Sequence, residues 1–328
     1  MWVSSLLFAL RAGTGLERAA KDRLPRCYAP DNGMTFFFPF CVFCVKIREK
    51  SEGENAMAIE TDDLKFNFGC ASCGYKNKPA DAPLGAIDVC RVVSRLDDLF
   101  AGNDMAGAGR LLDYWRNEAV TLRDKRGELS IVNEQLGYFR KVGNREKAME
   151  AVDRALELIE LLDAWDSVPS ATIFLNAATT LKAFGQAQAA MPLYENTLAI
   201  YQAGLEPDDL LFGGFYNNYA LALTDLNRFE EAEQAYLAAL EVVLPSETGR
   251  LDAAVTYVNM AHLYETWGKT ESISECLQQG LEVLDNWADQ SGYYAFVLSK
   301  CAPSYGHFGM TDEEKRLSAL SEEIYARH

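Results

Sequence analysis

Histidine is nearly missing from this sequence. His262, His307 and His328 are the only three in 328 residues, none stands in an H-E-x-x-H pair, and no glycine-rich loop lies between a strand-like and a helix-like run. No catalytic residue is therefore predicted, and the chain is read as a non-enzyme. Positive charge is also short, with 31 Lys and Arg against 48 Asp and Glu, a net charge of −17. Nucleic acid and anionic membrane both demand a basic footprint, so neither is expected as a partner. Membrane-length apolar runs are lacking too. Trp2 to Leu10 is too short to span a bilayer, and it has neither the basic start nor the clean cleavage site of a secretory signal.

The first 56 residues stand apart. They carry a net charge of +2 against −19 for the remainder, and they hold a second apolar run rich in Phe and Cys, Met34 to Val45. Glu52-Gly53-Glu54 can be encoded by a purine-rich ribosome-binding sequence placed just before a start codon for Met57. In a bacterial chain that makes Met57 the expected start, with residues 1–56 a disordered or non-native extension. Residues 57–93 read as an irregular lead-in containing Cys, Gly and Pro. Cys41–Cys44 and Cys70–Cys73 are two C-x-x-C pairs, with Cys70 and Cys73 as weak zinc candidates, although the interval between the pairs is long for a zinc ribbon. No other cofactor is indicated. Cys90, Cys276 and Cys301 read as buried small apolar residues, which fits a reduced, cytoplasmic setting.

What is abundant is repetition. Leu136, Ala178, Ala220 and Ala261 recur at intervals of 42, 42 and 41 residues, a period that belongs to helical arrays. The clearest copy runs from Tyr216 to Glu241. Tyr216, Tyr219, Ala220 and Leu223 make one apolar stripe at helical spacing, and Ala232, Ala235, Tyr236 and Ala239 make a second after a polar break at Asn227-Arg228. Gly143, Gly185, Asn227 and Gly268 succeed one another at the break, and these residue types tolerate the left-handed conformation that ends a helix. Ala101-Gly102-Asn103-Asp104 marks a worn first copy, and Ala302 with Gly309 a last one, where Pro303 is expected to kink the first helix. Thr311 to Ala326 reads as a capping helix with Leu317, Leu320 and Ile324 on one face.

This pattern resembles the tetratricopeptide-repeat family, in its long-repeat, kinesin-light-chain-like form. The period exceeds that repeat's usual ~34 residues, which longer helices would explain, and the proline that usually follows the second helix appears once, at Pro245. The resemblance implies an all-α, right-handed superhelical solenoid of about six helix-turn-helix hairpins over residues 94–328. It also implies a cytoplasmic scaffold whose first helices line a concave groove for a peptide or protein segment. The alternatives are a self-assembling solenoid, hence a homo-oligomer, and a zinc-knuckle regulator.

An asparagine stands two residues before three of the markers, as Asn176, Asn218 and Asn259. Carboxamides both donate and accept, so such a row can grip the main chain of an extended peptide; equally, each can bond a neighbouring helix and set the stacking. Asn133, Arg140, Lys182, Asn217, Leu221, Thr224, His262 and Glu265 lie off the apolar stripes at spacings of three or four from the markers. Arg140 and Lys182 would anchor a ligand carboxylate. The peptide-binding set is thus Asn133, Arg140, Asn176, Lys182, Asn217, Asn218, Asn259 and His262, with an ordinary solvated face as the plain alternative.

Overall fold

In the computed structural model, described over residues 82–327, the secondary structure is helical throughout, with no strand among those residues. The proposed start at Met57, the segment 1–56 and the Cys70–Cys73 pair lie outside the described residues. Twelve α-helices follow one another: α1 Val89–Ala101, α2 Met105–Thr121, α3 Lys125–Lys141, α4 Arg145–Leu161, α5 Val168–Ala183, α6 Ala187–Gly204, α7 Leu210–Asp225, α8 Phe229–Val243, α9 Asp252–Trp267, α10 Ile273–Asp285, α11 Gly292–His307 and α12 Thr311–Arg327. Helix α1 opens at Val89, ahead of the expected boundary at 94, because Asp88 caps it by accepting from the Arg91 N–H.

Each odd-numbered helix is joined to its even-numbered successor by a tight turn, and the same local chemistry recurs. Asn103, Gly143, Gly185, Asn227, Gly268 and Gly309 all have positive φ, between 54° and 83°, as the column of turn residues predicts. Asp104 and Asn144 follow directly and cap the next helix through their side chains, so leaving one helix and entering the next takes only three residues. Lengths of 16 to 18 residues in α5 to α7 account for part of the long period.

The marker residues are in the core. Leu136, Ala178, Ala220 and Ala261 are fully buried, as are Ala232, Tyr236 and Ala239 on the facing helix. At such positions a small side chain lets two helices approach closely. Gly280 shows the limit, since a Cβ there would lie 2.7 Å from the Tyr305 hydroxyl. Three expectations are corrected. Tyr216 and Tyr219 are only half-buried, and the space between α6 and α7 is filled instead by Phe212 and Phe215 against Tyr194 and Tyr201. Helix α11 runs on through Pro303 to His307. Cys90 is exposed and disulfide-bonded, whereas Cys276 and Cys301 are buried free thiols.

Beyond pairing with its successor, each odd-numbered helix also packs on the next odd-numbered helix, from α1 and α3 through to α9 and α11. The odd-numbered helices therefore form one continuous layer, and the even-numbered helices form the other. Between the layers runs an apolar core from Leu129 to Ile324, with a smaller cluster under α1 to α3.

Candidate functional site

The polar side chains singled out above lie on the odd-numbered layer, and most bridge one helix to the next. Asn176 on α5 donates through Nδ2 to Asn133 Oδ1 on α3 at 2.8 Å. Asn259 on α9 donates likewise to Asn217 Oδ1 on α7 at 3.0 Å, while Asn217 Nδ2 donates to Thr256 Oγ1 on α9 at 2.6 Å. Asn176, Asn217 and Asn218 are 7%, 4% and 6% exposed. Their amides are satisfied inside the layer, as buried polar groups require.

The register follows from small differences in sequence. In both Asn–Asn bonds, the donor stands two residues before its marker and the acceptor three before the preceding marker. Asn218 occupies the donor position too, but the matching acceptor position on α5 is Leu175, which offers no oxygen. Asn218 turns instead to the Gly214 carbonyl of its own helix, at 2.9 Å. The row thus breaks between α5 and α7 for want of one acceptor.

Charged groups continue the pattern along the layer. Lys182 Nζ on α5 is 3.5 Å from Asp225 Oδ2 at the end of α7. Its side chain is 21% exposed and that of Asp225 44%. Arg140 is half-buried on α3, close enough to Tyr194 for its charge to favour the phenolate, although burial dominates and pushes that hydroxyl up to about 12. Leu221 and Thr224 are half-buried on α7, the latter donating to the Ala220 carbonyl.

His262 on α9 has Nε2 at 2.9 Å from Ser304 Oγ on α11 and Nδ1 at 3.5 Å from Glu265 Oε2. Glu265 in turn meets His307 Nε2 at 2.8 and 2.9 Å. Burial lowers the basicity of His262, with Glu265 acting in the opposite sense. The His307 contact holds the Glu265 carboxyl below its ordinary range.

Sequence reasoning missed Asp225, Thr256, Ser304 and His307 as partners. The signal was there: Asp225 stands 43 residues after Lys182, and Ser304 and His307 stand 42 after His262 and Glu265. Complementary polar residues one period apart are neighbours in a stacked layer.

Profiles of the tetratricopeptide repeat match residues 170–210 and 214–286. No curated protein matches the chain in sequence. Among solved structures, the chain is similar to BtubC (BKLC) from P. vanneervenii, at 20% identity over 69% of this chain and 91% of that one, with a TM-score of 0.45. It is similar also to NprR crystallised in complex with its cognate peptide NprX, at 12% identity over 72% of this chain and 68% of that one, with a TM-score of 0.49. Among the described residues no helix is long and apolar enough to cross a membrane.

Proposed function

From a chain that carries tetratricopeptide repeats, we propose a non-enzymatic scaffold that binds a peptide or protein segment along the layer of odd-numbered helices. The family fold serves protein–protein interaction, and the observation that supports this use here is the continuity of that layer. Its outward groups come from successive helices at a regular step, which suits an extended ligand that meets one repeat after another. NprR, whose structure contains a peptide, illustrates a protein of related architecture with such a ligand.

The asparagines divide by burial. Asn176, Asn217 and Asn218 hold the layer together, and contact with a partner falls to the more open Asn133, Arg140, Lys182, Asn259 and His262. Lys182 is the best placed anchor for an acidic group. Its ion pair with Asp225 is partly solvated, so a ligand carboxylate can compete for it at small cost.

Binding of a peptide selected against the full chain tests this reading. Lys182→Glu is expected to weaken binding at least tenfold with the melting temperature nearly unchanged, and Glu157→Lys on α4 to leave binding as it was. Asn217→Ala should instead lower the stability, by about 1–3 kcal/mol for stranding a buried partner. Equal losses from the α4 and α5 variants would remove the odd-numbered layer as the binding surface.

A further inference from the structure

Two of the three histidines in the chain meet around one carboxylate. His262 and Glu265 lie one turn apart on α9, and His307 comes from the end of α11. The two imidazole rings are 5.2 Å apart between centroids. A nitrogen from each ring and a Glu265 oxygen all lie within 4.8 Å of one another. Zinc holds imidazole nitrogen at about 2.0–2.1 Å and carboxylate oxygen at about 2.0–2.2 Å, so ligand atoms around one ion stand some 3 Å apart or slightly more. Rotation of two half-exposed side chains closes the remaining gap.

The surroundings favour a ligand role over an ordinary ion pair. Ser304 faces His262 Nε2 at 2.9 Å. With that nitrogen carrying the proton and donating it to the serine, the lone pair is left on Nδ1, which already points at Glu265 from 3.5 Å. Fixing the tautomer and the ring plane through the far nitrogen is how a metal-binding histidine is usually oriented. Phe308 lies against both rings, at 4.9 and 4.8 Å between centroids, and restricts their motion. The side chains of His262, Glu265 and His307 are 38%, 44% and 51% exposed. A simple ion pair so exposed contributes little, whereas an ion can reach the three groups and keep a further position for water.

We infer that His262 Nδ1, the Glu265 carboxylate and His307 Nε2 form a binding site for a divalent first-row transition ion of the zinc type. Two imidazoles with one carboxylate select against calcium and magnesium, which take oxygen ligands. The site joins α9 to α11, so an ion there clamps two neighbouring repeats. It stands independently of the peptide-binding proposal.

Titration of the metal-stripped full chain with Co²⁺ or Zn²⁺ tests the site. Because the chain also contains C-x-x-C pairs, wild type is compared with His262→Gln/His307→Gln and with Cys70→Ser/Cys73→Ser. The histidine variant is expected to lose one equivalent that the cysteine variant keeps, and cobalt in that equivalent to lack thiolate charge-transfer absorption. Ser304→Ala should weaken it by about 10–100-fold. Equal uptake by wild type and the histidine variant, or no uptake by wild type, overturns the proposal. Should the histidine variant fail to fold, proton NMR of the wild type decides. Co²⁺ should shift or broaden the imidazole signals of two of the three histidines, and unmoved signals refute the site.

Discussion

At the scale of single residues, the costly groups are those buried between repeats. Asp252 opens α9 at 8% exposure and accepts from the Tyr293 hydroxyl on α11. Burial pushes its carboxyl up to about 7, with the tyrosine opposing. An unfolded Asp titrates near ~4, so between about pH 4 and pH 7 the folded chain holds a proton that the unfolded chain has lost. Stability therefore falls as pH rises through that window. Asp252→Asn cannot ionise and can still accept from Tyr293. It should raise the unfolding free energy by about 2–4 kcal/mol at pH 8 and by almost nothing at pH 4, which denaturant melts at the two pH values will check. Nothing in the sequence distinguishes this Asp from the many solvated ones. Its burial is set by the joint that brings Tyr293 to it. The asparagines were half legible, since their period marked them but only the absence of an acceptor at Leu175 decides which bond across the layer.

At the scale of elements, the turns were the most legible feature, because a left-handed residue is a local requirement that a few side chains meet. Gly185 has φ +78° with nothing within 4 Å of a prospective Cβ, so replacement by alanine isolates the backbone cost. Gly185→Ala should destabilise by about 1–2 kcal/mol, whereas Asn227→Gly, at φ 58°, should be neutral or slightly stabilising; thermal melts of both variants measure this. The apolar faces were less legible. Helix α7 has aromatic residues at 212, 215, 216 and 219, and helical spacing admits two adjacent stripes. Contact with Tyr194 and Tyr201 selects the one containing Phe212 and Phe215. Pro303 was read as a disruption, but α11 continues through it, as α6 does through Pro192.

At the scale of the whole molecule, stability in an array is a sum over neighbours, so the last helix protects everything before it. Leu317 and Ile324 of α12 are fully buried, while Asp312, Lys315, Arg316, Glu322 and Glu323 are exposed, a division that suits a terminal unit. Truncation after Phe308 should uncover the apolar side of α11, lower the melting temperature and cause self-association, observed as a rising mass by light scattering on concentration. The layered helical fold was readable because each repeat restates the same instruction. Contacts that join repeats depend on complementary residues a full period apart and emerge only once the stacking is known. Variation in length is placed unevenly. The turn at 142–144, like those at 184–186 and 226–228, is fixed at three residues, while the joints between pairs range from 122–124 to 244–251. One residue more in a rigid turn would rotate the following helix by about 100° and carry its apolar stripe out of the core. The joints can absorb such a change as slack. Duplication, deletion or grafting of repeats is thus permitted there, and the chain is modular in whole hairpins, with seams already marked for cutting.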